Sequence, residues 1–464
     1  MKNKYMIKVT TFALAFAMGG MLFTSCDDDI KINNIDETNY EVSADILGYL
    51  TDNQGKKNQD VVEFRNSGDA TIFVGTTKEV VSATNVSLTY DATVLDEYNQ
   101  TKGSDYVLFP EANVTISGDA EIIKGTNKSS GVSIAFTTSD ELSPDVTYAI
   151  PLRASSDGVK LSDADGQFVV LVKDLTAIPD ASKASGIKVF SCMEINDTNP
   201  LNNLCFTLKN SKKPLVDALI MFSANINYSE ENGKVYISQN PNVKHLLDNR
   251  MKYLKPLQDR GIKVILGLLG NHDRSGIANL SEETAKKFAQ EVKATLEAYH
   301  LDGIFIDDEY SSYMTPPPPG FVSPSSAGAA RLCYEVKQAM PECIVVSYAY
   351  STTSSLPAID GQESGTFVDY GLHDYGGSYD LSSNYPGMPK SNMGLYSQEF
   401  ARGRWASKSS LEKMRADGYG SHMIFAMDPF RSNFSRQLSS MEDIAEAFYD
   451  DELVYDGQPY SKDW

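Results

Sequence analysis

From Ile187 onward, apolar runs of strand length alternate with stretches of helical periodicity, and no other feature restricts the fold of this chain so strongly. The runs are IKVFSCMEIN, DALIMFSANI, IKVILGLLGNH, DGIFIDDEY, CIVVSYAYS, FVDYGLHDYG, MGLYSQEFA and GSHMIFAMDP, eight in all. Between the third and fourth, Phe288, Val292, Leu296 and Tyr299 recur at helical spacing behind a Ser281 cap and two acids in the first turn. Eight strand–helix units over residues 187–464 imply a (β/α)8 TIM barrel, whose chemistry gathers at the C-terminal ends of its strands.

The fourth run ends in three acids, Asp307, Asp308 and Glu309. Side chains alternate along a strand, so residues 305, 307 and 309 share one face. With that face inward, Phe305 fills a core layer, Asp307 and Glu309 climb toward the mouth, and Asp308 points to the helix shell. Neighbouring buried carboxylates push one pKa up, and a carboxyl kept protonated near neutral pH suits general acid catalysis. The residues alone leave three readings open: solvated acids capping a helix, a magnesium or calcium site completed by oxygens from other strands, and a glycosidase pair. Other strand-end candidates for contact with sugar hydroxyls are Glu194 and Asn196 after the first run, Asn271 and His272 after the third, and Gln398 and Glu399 in the seventh. The loop at 311–326, SSYMTPPPPGFVSPSS, is stiffened by proline and is either a wall of a glycan groove or a rigid connector.

Residues 40–176 read differently. ANVTISG, GVSIAFTT, TYAIPLRA and QFVVLVKDL are short β-type segments between turn clusters, the pattern of an all-β sandwich serving as an accessory domain. Residues 177–186 form the linker that follows it. At the other end, residues 1–25 combine lysines, an apolar stretch and small residues before Cys26, which is a secretory signal. A net charge of −21 argues against nucleic acid as a partner. Apart from Cys26, the cysteines have no metal-type spacing, so no zinc framework or disulfide is implied.

Four resemblances sharpen these expectations. The segment around Cys26 resembles a bacterial lipoprotein signal, with Phe23 where leucine is usual, which implies lipidation of Cys26 and a polar tether over 26–39. The DDD at 27–29 resembles the surface-export tag of some Gram-negative lipoproteins, implying a lipid anchor at the outer-membrane surface of a bacterial cell envelope. The β domain is similar to the module that precedes glycoside hydrolase barrels in surface lipoproteins of glycan-degrading bacteria. The barrel itself resembles glycoside hydrolase family 18, whose signature D-G-x-D-x-D-x-E falls on Asp302, Gly303, Asp307 and Glu309. It is most similar to endo-β-N-acetylglucosaminidases of the endoglycosidase H and F type, from KVILGLLGNHDRSGIANL through LDGIFIDDEY to DYGLHDYGG and GYGSHMIFAMD.

That resemblance implies cleavage of the GlcNAc-β1,4-GlcNAc core of high-mannose or hybrid N-linked glycans on glycoproteins, by a retaining, substrate-assisted mechanism without a cofactor. Glu309 would be the acid and base, Asp307 would orient the substrate's acetamido group, and Tyr375 would hydrogen-bond its oxygen. Phe305 departs from the family pattern by replacing the middle Asp, which implies an altered pH dependence. A chitinase-like hydrolase and a non-catalytic surface glycan-binding protein are the rival readings, and the presence of Glu309 separates catalysis from binding alone. Oligomeric state has no signal in the sequence.

Overall fold

The computed structural model describes residues 45–53, 55–57, 61–375 and 378–464. The expected signal, Cys26 and the tether lie outside the described residues.

Residues 47–174 form two sheets around a common core. One orders Lys160–Leu161, Leu47–Thr51, Ser67–Thr76, Val132–Thr137 and Val114–Ser117. The other orders Val62–Phe64, Gln167–Asp174, Tyr148–Ser155, Thr84–Tyr90 and Ala120–Ile122. Ile72, Val74, Ile134 and Phe136 of the first meet Val86, Ile150, Leu152 and Val170 of the second. One element departs from the all-β expectation. A helix, Thr93–Lys102, covers the back of the second sheet, burying Val94 and Leu95 against Ala149, Val169 and Leu171. It stops at Gly103, whose left-handed φ of 61° closes its last turn. With only two apolar residues on its inner face, it left little periodicity to read.

Each of the eight later runs contains a strand: β1 Lys188–Glu194, β2 Ala218–Ser229, β3 Lys263–Leu269, β4 Gly303–Asp307, β5 Ile344–Ala349, β6 Tyr370–His373, β7 Gln398–Glu399 and β8 Ser421–Phe425. They pair in parallel in the spatial order β6-β5-β4-β3-β2-β1-β8-β7. Alternation along the strands separates two cores. Phe190, Cys192, Ile220, Ile265, Phe305, Val346, Leu372 and Met423 gather on one face. Val189, Leu219, Val264, Ile304, Ile306 and Val345 meet the helices on the other. Both faces are covered, so the strands are nearly continuous apolar runs.

The seventh run is mostly not a strand. Gly394 N donates to Gly371 O of β6 (2.8 Å), while Met393 O accepts from Ser421 N of β8 (3.1 Å). The backbone there divides its hydrogen bonds between two neighbours, which leaves only Gln398–Glu399 in a regular ladder with β8.

The helices that matter for the site are α1 Glu282–Tyr299, α2 Ser326–Ala339, α3 Lys408–Ala416 and α4 Phe434–Tyr449. Ser281 caps α1 by accepting from Thr284 N, and Phe288, Val292 and Leu296 are buried, each contributing about 2 kcal/mol.

An aspartate precedes β2, β4 and β6, and each plays the same part. Asp217, Asp302 and Asp369 accept from the backbone N–H of Val189, Val264 and Val345 on the preceding odd-numbered strand, at 2.8, 2.8 and 2.7 Å. Each also donates its own N–H to the carbonyl of the same valine, at 2.8 Å. Lysines neutralise them: Lys183 with Asp217 (3.0 Å), Lys263 with Asp302 (3.6 Å) and Lys337 with Asp369 (2.9 Å). Burial works against ionisation of Asp302, but Lys263, Lys173 and the bonds from Val264 and Gln258 hold its carboxyl below the usual range.

The β domain meets this end of the sheet, where the strands begin. Tyr106 Oη donates to Glu342 Oε2 (2.6 Å), Lys293 Nζ to Gly103 O (2.8 Å), and Lys263 joins Glu63 (2.5 Å). Arg65 donates to the carbonyls of Leu175 and Ile178 in the connecting segment.

Asp302→Ala is expected to cost about 2 kcal/mol, since it leaves the Val264 N–H unpaired and takes from Lys263 one of its two acid partners. Urea unfolding at pH 7 measures this. The folded carboxyl has the lower pKa, so its stabilisation is present above the unfolded value and lost as pH falls through the folded one. The gap between variant and wild type should therefore shrink in acid.

Candidate active site

The C-terminal edge of the sheet is set by β4. Phe305 is 1 % exposed and lies edge-on to Phe222 (6.3 Å between ring centroids) and beside Tyr348 (6.0 Å). Two residues on, Asp307 is buried on the same face, where its charge would act on Cys192, Tyr348 and Tyr375. A backbone clip fixes the residues that follow. Gly270 N, just beyond β3, donates to Glu309 O (3.0 Å), and His272 N donates to Tyr310 O (2.6 Å). His272 and Tyr310 both take left-handed φ values, 53° and 60°. A Cβ on Gly270 would lie 2.3 Å from Glu309 O, so the approach of the two strand ends requires glycine there.

Three consecutive acids occupy three environments. Burial pushes the Asp307 carboxyl well above the usual range, and the charges of Glu309 and Asp308 push it further. Its Oδ1 makes no hydrogen bond among the described residues. Asp308 faces away and is fully engaged, with Tyr313 donating to Oδ1 and Thr352 to Oδ2. It joins the loop after β4 to the loop after β5 and caps no helix. Glu309 is half-buried; burial raises its carboxyl, and Arg402, reaching in from beyond β7, opposes the rise. Among the described residues, no group of three or more His, Cys, Asp or Glu could hold a metal ion.

Tyr375 follows β6, its ring 5.7 Å from Tyr348 and 5.9 Å from Phe425. Burial first, then Tyr348, Cys192 and Asp307, drive its phenol pKa far up, so the hydroxyl keeps its proton. The edge thus brings together Asp307, Glu309, Tyr348 and Tyr375 above a floor of Phe305.

The other sequence candidates divide. Glu194 is half-buried, accepts from Asn196 Nδ2 (2.9 Å), and is raised by burial and by Asp197. Asn196 and His272 are exposed, and Asn271, also exposed, donates to Asn227 Oδ1 (3.1 Å). Glu399 is buried and accepts from Arg402 N (2.6 Å), which shapes the turn that carries Arg402.

Gln398 does not belong with these. It is buried in the helix layer, where its Oε1 accepts from Ala406 N and Ser440 Oγ (2.7 Å each) and its Nε2 meets His422 (3.1 Å). Its polar atoms are spent on holding β7, and alternation puts it opposite Glu399. The 311–326 loop is tied to the segment after β3, by Ser312 N to Asp273 O and Val322 N to Asn279 O (2.8 Å each), with Phe321 against Tyr228. Sequence reasoning missed Arg402, which no pattern marks, and Tyr348, which strand alternation from Val346 could have placed.

A cavity of about 1160 Å³ lies at the opposite end of the sheet, lined among others by Lys188, Lys263, Lys337, Asp302 and Tyr370. Lys188, Lys263 and Lys337 are already paired with Asp217, Asp302 and Asp369 in the strand-start clamps, and the cavity lies at the other end of the strands from Asp307 and Glu309.

A buried carboxyl and a half-buried one, both pushed above the usual range, at the C-terminal edge of a parallel sheet lined with aromatic rings, are the equipment of a glycoside hydrolase. Comparison with known proteins narrows this. Over 290 residues the chain is 64 % identical to endo-β-N-acetylglucosaminidase F1 of Elizabethkingia meningoseptica, covering 62 % of this chain and 85 % of that protein. It is 32 % identical over 262 residues to the endo-β-N-acetylglucosaminidase of Flavobacterium sp. strain SK1022, covering 56 % and 81 %. The crystal structure of Bacteroides thetaiotamicron EndoBT-3987 with Man5GlcNAc product superposes with a TM-score of 0.79 at 36 % identity, covering 89 % of this chain and 97 % of that one. Residues 37–160 match a family model described as an N-terminal domain. The chain belongs to the endo-β-N-acetylglucosaminidase family.

Gly270→Ala should lower kcat roughly 100-fold by displacing Glu309, with the far-UV circular dichroism unchanged; a wild-type rate would mean that the clip does not position the acid. Arg402→Ala removes the charge that opposes the rise in the Glu309 pKa. The alkaline limb of its kcat profile should move to higher pH, as followed by rate measurements across pH.

Proposed function

We propose that this protein hydrolyses the GlcNAc-β1,4-GlcNAc bond in the core of N-glycans, leaving one N-acetylglucosamine on the protein, and that its second domain is a (β/α)8 barrel. The observation that carries this is the pair at the end of β4, with Asp307 buried, Glu309 half-buried and both carboxyls raised by burial. EndoBT-3987 has been crystallised with a Man9GlcNAc2Asn substrate, at a TM-score of 0.74 to this chain, and that supports a high-mannose glycan here. For the barrel, support comes from the sequential parallel strand order and the bridge of Gly371 to Met393 across the remaining gap.

Glu309 gives its proton to the glycosidic oxygen as the acetamido oxygen of the substrate attacks the anomeric carbon, producing an oxazolinium and releasing the leaving sugar. The side-chain carbonyl oxygen of Asp307, on its apolar floor, accepts from the acetamido N–H, which orients the group as positive charge develops on it. Tyr375 donates a hydrogen bond to the acetamido oxygen. Glu309, now a carboxylate, takes a proton from the water that opens the intermediate, so configuration is retained. These steps need no cofactor. Phe305 in place of an inner acid leaves Asp307 without a partner below it with which to share a proton. Residues 40–176 serve as the accessory domain and 177–186 as the linker, with the lipid on Cys26 holding the chain to the outer-membrane surface.

Purified mature protein is expected to shorten a high-mannose glycoprotein to a single N-acetylglucosamine per site by mass spectrometry, while Glu309→Gln is inactive. Turnover of chitin oligomers in its place would favour a chitinase, and binding without cleavage would favour a non-catalytic glycan binder.

A further inference from the structure

We propose that the edge carrying Asp307 and Glu309 also holds a separate pocket for one neutral hexose of the glycan, built from Phe430, Asp428, Asp197 and the segment Ser461–Lys462. This rests on the endoglycosidase reading above and assigns that enzyme a contact away from the bond it cuts.

The pocket has a volume of about 200 Å³ and is lined by Asp197, Thr198, Asp428, Phe430, Ser461 and Lys462. Asp197 and Thr198 follow β1, and Asp428 and Phe430 follow β8. In a parallel sheet these loops emerge on the same edge as the end of β4. β1 is three strand positions from β4 and β8 is four, roughly 14 to 19 Å along the sheet at ~4.8 Å per strand. A branched glycan seated on Glu309 covers that distance with more than one sugar ring.

Two features argue for a sugar. Phe430 is 57 % exposed, yet its backbone is fixed: Phe430 N donates to Asp428 Oδ1 (2.9 Å), and Asp428 N to Gln437 Oε1 on α4 (2.9 Å). An exposed apolar ring on a fixed backbone, beside carboxylate acceptors, suits a pyranose, which has an apolar face and a rim of hydroxyl donors. The charges also balance. Arg431 bridges Asp197 (2.9 Å) and Asp428 (3.6 Å), and Lys462 faces the same space, so two acids meet two bases and neither an anion nor a cation is favoured. Thr198 Oγ1 lies 3.5 Å from Asp428 Oδ1.

The third wall is as rigid as the other two. Asn199 Nδ2 donates to Ser461 O (3.0 Å), Tyr460 N to Asn202 Oδ1 (2.7 Å), and Lys462 Nζ to Asn196 O (2.9 Å) and Asn242 Oδ1 (2.8 Å). The pocket is therefore formed before any ligand arrives.

The test compares kcat/KM on two glycopeptides that share the same chitobiose core, one bearing the full mannose-rich glycan and one trimmed of its outer mannoses. For Phe430→Ala the ratio of the two should fall about tenfold, and Phe430→Tyr should restore it. An unchanged ratio overturns the pocket. So does a ratio that changes with the carrier, free asparagine against a folded protein, because the occupant is then polypeptide. Failure of the endoglycosidase reading is distinguishable, since the wild type would then cut neither glycopeptide.

Discussion

The chemistry at one edge of the sheet depends on a register fixed at the other. Asp302 both donates to and accepts from Val264, which admits only one alignment of β4 against β3. Side chains alternate, so a slip of one residue would turn Asp307 toward the helices and bring Asp308 to the edge. Asp217 and Asp369 impose the same alignment on β2 and β6. Three of the eight strands are thus pinned at their starts, and what they carry at their ends follows. The first aspartate of the family signature belongs to the scaffold, while the later acids stand at the site.

Above that scaffold, polarity is distributed by burial. Asp307 has no inner acid beneath it, and its carboxyl is raised by burial above the Phe305 ring and by the acid two residues on. Asp308, a single bond sequence away, is ringed by hydroxyl donors and ties two loops together. Glu309 is open enough to meet a substrate and close enough to Arg402 to feel its charge. Adjacent residues of one kind diverge because a strand shows them alternately to two different media.

Much of the fold was legible in the sequence because parallel strands covered on both faces are long apolar runs, and α1 shows its inner face at helical spacing. The placement of Phe305 beneath Asp307 also followed from alternation. What failed did so for local reasons. Gln398 and Glu399 looked equivalent at a strand end, but a two-residue strand shows one to the helices and one to the interior, and nothing in the sequence says which. The run at 393–401 has strand composition, yet its backbone serves two neighbours. The helix at Thr93–Lys102 buries too few residues to announce itself. Arg402 acts across space from a turn shaped by Glu399, a relation that only three-dimensional proximity reveals.

The β domain grips the sheet where its strands begin, through Tyr106 and Glu342, Lys293 and Gly103, and Lys263 and Glu63. The strand-end edge is thereby left clear of the β domain. A glycan on a folded glycoprotein is a small target on a large body, and an enzyme that must reach it cannot crowd its own doorway. Placing the added domain behind the sheet gives the incoming protein an unobstructed half-space, so the permissible size of the substrate is set by its own surroundings and not by this domain.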